Sequence, residues 1–130
     1  MDKLSIYLWI AFGSALGGVG RYWVSATLAQ RFETFPWGTL VVNVTGSFLI
    51  GLFASLAGPE GRFTAGPRLN HFFMTGLCGG FTTFSSLSLQ TLTLAREGHT
   101  LHAGLNVLSS VVICLLAVWI GHLAGQILNR

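Results

Sequence analysis

The chain has 130 residues, of which 52% are hydrophobic and only 8% charged, whereas charged residues make up roughly a quarter of soluble globular domains. That composition excludes an ordinary soluble fold. The net charge of +3 comes from basic residues scattered over the ends and connections, so we expect no nucleic-acid-binding patch. No nucleophile, base and orienting residue form a recognisable set, and we expect no enzyme.

Four segments are each long and apolar enough to cross a bilayer, which takes about 20 residues of helix. They are residues 4–28, 37–57, 69–95 and 101–128. We therefore predict an all-α integral membrane protein of four transmembrane helices that forms a single domain over residues 1–130. The first segment is expected to be a retained span, because no small-residue cleavage site of a signal peptide stands out.

The acidic residues avoid the predicted spans. All four fall at the amino end or in the three connections: Asp2, Glu33, Glu60 and Glu97. Proton-coupled transporters place ionisable side chains inside the membrane to relay protons. Their absence from these spans disfavours a proton-coupled exporter.

The basic residues are divided almost evenly between the two predicted membrane faces. Four belong to the side that carries both chain ends, and two belong to the other, with Arg21 near its edge. Membrane orientation follows the imbalance of Lys and Arg between the two sides, and this imbalance is small. We therefore expect insertion in both orientations, which makes an antiparallel homodimer available.

The first two spans each contain one side chain that is costly in lipid. Arg21 follows a glycine-rich stretch, and its guanidinium either reaches the interface or sets a positive potential in an aqueous vestibule. Asn43 either bonds a neighbouring helix or donates its amide hydrogens to an anion. Glycines four apart, Gly13 with Gly17 and Gly121 with Gly125, are typical of close helix contacts.

The third span contains a run of glycines and hydroxyl residues that forms helix poorly. Its members include Gly79, Gly80, Thr82, Thr83, Ser85, Ser86 and Ser88. We predict a helix break between Gly79 and Thr83. Unpaired backbone at membrane depth is tolerated where it is buried in protein or lines a watery cavity, so either a carbonyl cation site or a glycine-packed kink without an ion fits the pattern.

The fourth span places polar side chains on one helix face. Asn106, Ser110 and Cys114 recur at four-residue steps. They form either a polar track along a pore or a set of interhelical hydrogen bonds. Cys78 and Cys114 both lie in apolar spans, where packing is the expected role of a thiol.

Taken together, these motifs resemble the small bacterial fluoride channels known as Fluc or CrcB, and the resemblance covers nearly the whole chain. The motifs are Gly17-x-x-Gly20-Arg21, Gly38-Thr39-Leu40-x-x-Asn43-x-x-Gly46 and Gly76-x-x-Gly79-Gly80-x-Thr82-Thr83-Phe84-Ser85. The resemblance implies a passive fluoride channel of the bacterial inner membrane that exports cytoplasmic fluoride. It also implies an antiparallel homodimer with two pores.

Specific residue roles follow from the resemblance alone. The carbonyl oxygens of Gly79 and Thr82 are expected to hold a structural Na⁺ at the two-fold axis. Arg21 is expected in the vestibule. The expected pore residues are Asn43, Phe84, Leu87, Ser110, Asn106 and Cys114.

Three residues depart from the family pattern. Leu87 stands where a second pore phenylalanine is usual, and leucine lacks the partly positive ring edge that can face an anion. Gln90 replaces a common glutamate, and Cys114 replaces a usual hydroxyl. The departures bear on conduction rate and on the anion path. The alternatives to a channel are a small multidrug-exporter-like transporter and a noncatalytic membrane assembly subunit.

Overall fold

A computed structural model describes residues 3–32, 34–59 and 61–130. Asp2, Glu33 and Glu60 lie outside the described residues, so the predicted placement of acids can be followed only for Glu97. The described residues are helical or in connections, and none of them forms a strand. The helices are α1 (Lys3–Ala29), α2 (Trp37–Leu56), α3 (Pro67–Asn70), a π-helix (His71–Cys78), α4 (Gly79–Phe81), α5 (Phe84–Arg96) and α6 (Thr100–Leu128).

The predicted all-helical membrane architecture is confirmed. Among the described residues, three helices, α1, α2 and α6, are long and apolar enough to cross a membrane. The third predicted span is a composite. Residues 67–81 form one continuous helical rod through α3, the π-helix and α4, and α5 continues after two extended residues.

The two halves of the third segment pack on different neighbours. The rod 67–81 lies mainly against α1, whereas α5 lies mainly against α6. The most extensive interface joins α2 and α6, and a smaller one joins α1 and α2. The interruption therefore marks the point where the chain crosses from one helix pair to the other.

Glycines allow the closest of these contacts. A Cβ added at Gly13 would lie 2.9 Å from the Leu77 backbone nitrogen, and one added at Gly80 would lie 2.6 Å from the Ser14 carbonyl oxygen. Between α6 and α2, a Cβ added at Gly121 would overlap the carbonyl oxygen of Phe48. Both predicted glycine pairs thus lie in helix contacts where backbones approach each other.

The α5–α6 connection is closed by a glycine in the left-handed region. Gly98 has φ +84°, and the N–H of His99 donates to the Leu94 carbonyl oxygen at 2.8 Å. This is the usual way to satisfy the last carbonyls of a helix. Glu97 caps the carboxyl end of α5, outside any helix interior, as the sequence predicted.

The surface of the chain suits lipid as its surroundings. Large apolar side chains of α1 and α6 are exposed, among them Tyr22 at 76% and Ile127 at 68%. The buried interior instead holds several polar residues, including Asn43 and Asn106. Lipid tails solvate apolar side chains, so the chain keeps its polar groups inside and directs its apolar groups outward.

Candidate functional site

The break in the third segment consists of two extended residues. Thr82 has ψ 158°, and Thr83 has φ −154° and ψ 117°. Thr83 is the N-cap of α5, where its Oγ1 accepts the Ser86 N–H at 3.1 Å, the expected role of threonine at a helix start. The break predicted between Gly79 and Thr83 is confirmed and lies at the carboxyl end of that range.

Asn43 holds the break from the neighbouring helix α2. Its Nδ2 donates to the Thr83 carbonyl oxygen at 3.1 Å, and the Thr83 N–H donates to its Oδ1 at 2.7 Å. The amide is only 9% exposed. Of the two roles that the sequence left open, the structure places Asn43 in an interhelical bond. The Asn43 side-chain amide has two hydrogens, and the Thr83 carbonyl oxygen accepts only one of them.

This pairing releases backbone carbonyl oxygens at the end of α4. In an uninterrupted helix the Thr83 N–H would donate to the Gly79 carbonyl oxygen, but here it donates to Asn43. Gly79 is also exposed. Its carbonyl oxygen is therefore available to a ligand, and neutral carbonyl oxygens suit hard cations.

The Thr82 carbonyl oxygen has a different environment. Arg21 Nη1 donates to it at a long 3.4 Å, so the guanidinium reaches the break instead of pointing away to the interface. A carbonyl oxygen has two lone pairs, and one remains. The predicted sodium ligands, Gly79 and Thr82, thus fit a hard cation chemically, although two carbonyls from one chain are fewer than such a cation takes.

Beside the break lies a cavity of about 400 Å³. It brings together residues from α2, the third segment and α6, including most of the predicted site. The predicted residues on its wall are Asn43, Gly79, Thr82, Thr83, Phe84, Leu87, Ser110 and Cys114.

Two of these wall residues differ sharply in exposure. The Phe84 side chain is 75% exposed at the mouth of the cavity, and Leu87 is 4% exposed. Ser110 Oγ is buried without a hydrogen-bond partner. The wall is largely apolar, with a few polar groups from three helices, as in typical small-ligand sites.

Asn106 lies away from this cavity. It is fully buried, and its Nδ2 donates to Thr91 Oγ1 at 3.0 Å. Thr91 in turn donates to the Leu87 carbonyl oxygen at 2.8 Å. The polar face predicted on α6 thus divides: Ser110 and Cys114 line the cavity, whereas Asn106 joins α6 to α5.

The remaining predicted residues surround the break without lining the cavity. Gly80 contacts Ser14 of α1, and Ser86 bonds Thr83. Ser85 and Ser88 are exposed; the Ser88 hydroxyl donates to the Phe84 carbonyl oxygen at 2.9 Å. Ser86 and Ser88 thus support the first turns of α5.

Some residues that line the cavity were not predicted from the sequence. Ser47, Ile50 and Met74 also line the cavity. Ser47 follows Asn43 by four positions, so helix periodicity places both on one face and was a usable signal. Met74 precedes the break by two turns of the rod, and no sequence pattern distinguishes it from ordinary apolar residues of a span.

The fold and the site define a multi-pass membrane protein whose third membrane-crossing segment is interrupted beside a partly polar cavity. Residues 8–122 match the sequence model of the family described as CrcB-like protein, Camphor Resistance (CrcB). The chain belongs to this family, which confirms the resemblance inferred from the motifs.

Proteins named fluoride-specific ion channel FluC are similar to this chain over nearly their whole length. The one from Opitutus terrae is 61% identical over 127 residues, covering 97% of this chain and 96% of that protein. Those from Methylocella silvestris and Paramagnetospirillum magneticum are each 58% identical over 125 residues. These two matches cover 95% of this chain and 95% and 98% of the respective relatives.

Proposed function

We propose that this chain is a passive fluoride-specific ion channel of the bacterial inner membrane, and not an enzyme or a pump. Relatives that carry this name share up to 61% of their residues with it. The single structural observation that carries the proposal is the cavity beside the helix break, where Asn43, Phe84 and Ser110 meet. Passive flow down the electrochemical gradient would lower the cytoplasmic fluoride concentration.

The chemistry of the cavity wall suits a small anion. A selective pore must replace the water around the ion with other donors and still release it. Ser110 has a hydroxyl without a protein partner, and Asn43 keeps one amide hydrogen that Thr83 does not accept. The ring edge of Phe84 carries partial positive charge. Leu87 offers only an apolar wall, and Cys114 only a weak S–H donor.

Arg21 contributes through its charge. Its guanidinium lies at the break, 3.4 Å from the Thr82 carbonyl oxygen, and is not part of the cavity wall. A fixed positive charge near a narrow path raises the local concentration of anions. Arg21 is therefore assigned to attracting fluoride and not to coordinating it.

The functional unit in this proposal is an antiparallel homodimer. Gly79, Phe84, Ser85 and Ser88 are all exposed on one chain, although they belong to a membrane-crossing segment. Uncovered polar backbone in lipid costs several kcal/mol per group, and a second copy would cover it. The same pairing would close the open side of the cavity in each copy.

A structural Na⁺ completes the proposed dimer. The Gly79 and Thr82 carbonyl oxygens of the two copies would hold it, because one chain offers too few ligands for a hard cation. When bound, the ion would supply a fixed positive charge that joins the two interrupted segments. It is not transported.

The alternatives have less support. A proton-coupled exporter needs an acid inside a span, and the single acid in the described part of the chain, Glu97, lies at the end of α5. An assembly subunit would use its amides only to join helices, as Asn43 and Asn106 do. That role leaves the unpartnered Ser110 hydroxyl on the cavity wall unexplained.

Fluoride efflux from proteoliposomes tests the channel proposal. Purified protein in liposomes loaded with potassium fluoride, with Na⁺ present on both sides, should release fluoride to an electrode once a potassium ionophore dissipates the voltage. Chloride-loaded vesicles should release far less. No fluoride release from protein that retains its helical circular dichroism would overturn the proposal and would favour the assembly subunit.

Two further measurements test the assembly. Single cysteines introduced at one membrane face should be labelled from both sides of the bilayer in about equal amounts if the copies are antiparallel. Replacing Na⁺ by a bulky organic cation should weaken the dimer and abolish flux. One-sided labelling contradicts the antiparallel arrangement, and indifference to Na⁺ contradicts the ion site.

A further inference from the structure

A second cavity, of about 770 Å³, lies where α1 ends, α2 begins and α5 ends. It shares no lining residue with the cavity beside the break. Because it lies at the ends of membrane-crossing helices, it is at the boundary between the hydrocarbon and the headgroups. Nothing in the proposed conduction path uses it.

Aromatic rings form one wall of this cavity. Phe35 and Trp37 have ring centroids 5.0 Å apart with planes inclined by 56°. The Phe32 ring centroid lies 6.1 Å from that of Trp37, with the planes inclined by 55°. Tyr22 also lines the space. The faces of aromatic rings attract organic cations, and four aromatic residues line this one cavity.

The electrostatics of the lining also favour a cation. Glu97 is the only charged side chain on the described lining, and it is exposed. Two of the three helices meeting here, α1 and α5, end at the cavity with their carboxyl termini. Helix carboxyl termini carry partial negative charge. The carboxyl termini of α1 and α5 therefore add to the negative charge that Glu97 places on the lining.

We propose that this cavity binds the ammonium headgroup of a zwitterionic phospholipid. The carboxylate of Glu97 and the faces of Phe35 and Trp37 would hold the ammonium. Two exposed arginines, Arg31 and Arg96, directly precede lining residues in the sequence, which provides positive charge for the lipid phosphate outside. The assignment concerns a lipid site and does not depend on fluoride conduction.

Lipid retention measured by native mass spectrometry tests this site. The whole protein, in detergent, is mixed with short-chain phosphatidylethanolamine or with phosphatidylglycerol, which keeps the phosphate but carries an uncharged glycerol in place of the ammonium. We expect phosphatidylethanolamine to be retained about tenfold more strongly, as a carboxylate with an aromatic cage supplies roughly that factor.

Two variants assign this preference to the cavity. Glu97→Gln removes the charge at an exposed position, and Phe35→Leu removes one ring while leaving the charge. Each should reduce the preference to near unity, whereas Glu60→Gln, the same charge change in a different connection, should leave it intact. Helical circular dichroism confirms that each variant is folded.

Two outcomes would overturn the lipid site. One is equal retention of the two lipids by the unaltered protein. The other is a preference for phosphatidylethanolamine that persists in Glu97→Gln or in Phe35→Leu. Free ethanolamine serves as a competitor. Weak competition at millimolar concentration is expected, but free amine that binds as tightly as the lipid would show that the ligand is a soluble amine and would overturn the lipid assignment.

Discussion

Replacing Asn43 by leucine tests how the helix break is held. The two side chains are similar in size, so Asn43→Leu mainly removes the two hydrogen bonds to the Thr83 backbone, at 3.1 and 2.7 Å. The Thr83 N–H is then buried without a partner, whereas the Thr83 carbonyl oxygen, at the N-cap of α5, still accepts the first hydrogen bond of that helix. An orphaned buried donor costs about 1–3 kcal/mol and a lost hydrogen bond about 0.5–1.5 kcal/mol, so the free energy of unfolding should fall by about 1.5–4.5 kcal/mol.

Asn106→Leu is the matched control for this prediction. Asn106 is also buried, but its amide bonds only the Thr91 side chain, and its Oδ1 is buried without a partner. Removing a buried oxygen that already lacks a partner is favourable, and this gain offsets much of the free energy lost with the hydrogen bond to Thr91. We expect the free energy of unfolding to change by about 1 kcal/mol or less.

Reversible unfolding in detergent, followed by circular dichroism at fixed protein and Na⁺ concentrations, compares the two variants. Fluoride efflux from proteoliposomes is measured in parallel, and Asn43→Leu should also lose flux because the cavity wall at Thr83 shifts. Equal unfolding midpoints for Asn43→Leu and Asn106→Leu would refute the argument that Asn43 acts through the backbone of the break.

Three other substitutions, two of them with a matched control, separate packing, backbone strain and conduction. Gly17→Ala should reduce stability by about 1–3 kcal/mol, because its Cβ would lie within 2.7 Å of the third-segment backbone; Gly18→Ala, with open space around it, should be neutral or stabilising by up to about 1 kcal/mol. Unfolding midpoints check this pair, and similar losses in both would contradict the packing argument. Gly98→Ala, at φ +84°, should cost about 1–2 kcal/mol with fluoride efflux unchanged; an unaltered midpoint would contradict the strain argument. Ser110→Ala should lower fluoride efflux without lowering stability, because its hydroxyl has no partner, whereas the neighbouring Ser109→Ala, outside the cavity wall, should preserve flux; equal flux in both would remove Ser110 from the path.

Much of the site could be located before the structure was known. Helix-breaking composition between Gly79 and Thr83 pointed to the interruption, because glycine and hydroxyl residues are locally unfavourable in helices whatever surrounds them. The four-residue step from Ser110 to Cys114 likewise follows from helix geometry, and both residues line the cavity.

Local sequence patterns could not predict which side chains pair between helices. Asn43 and Asn106 are both amides in the middle of apolar spans, and nothing local distinguishes them. The structure pairs Asn43 with the backbone of Thr83, beside the cavity, and Asn106 with the Thr91 side chain, away from it. Which partner an amide meets depends on the relative rotation of two helices, and that rotation is set by many packing contacts together.

The sequence by itself determined that the chain lies in a membrane, that its spans are helical and that the third one breaks. These properties follow from the cost of exposing charge and unpaired backbone to lipid, which each segment incurs alone. The tertiary structure decided that the two halves of the third segment pack on different helices, with Asn43 and Arg21 converging on the gap between them. Close glycine contacts fix that arrangement, because only the meeting of two particular helix faces defines where backbones can approach.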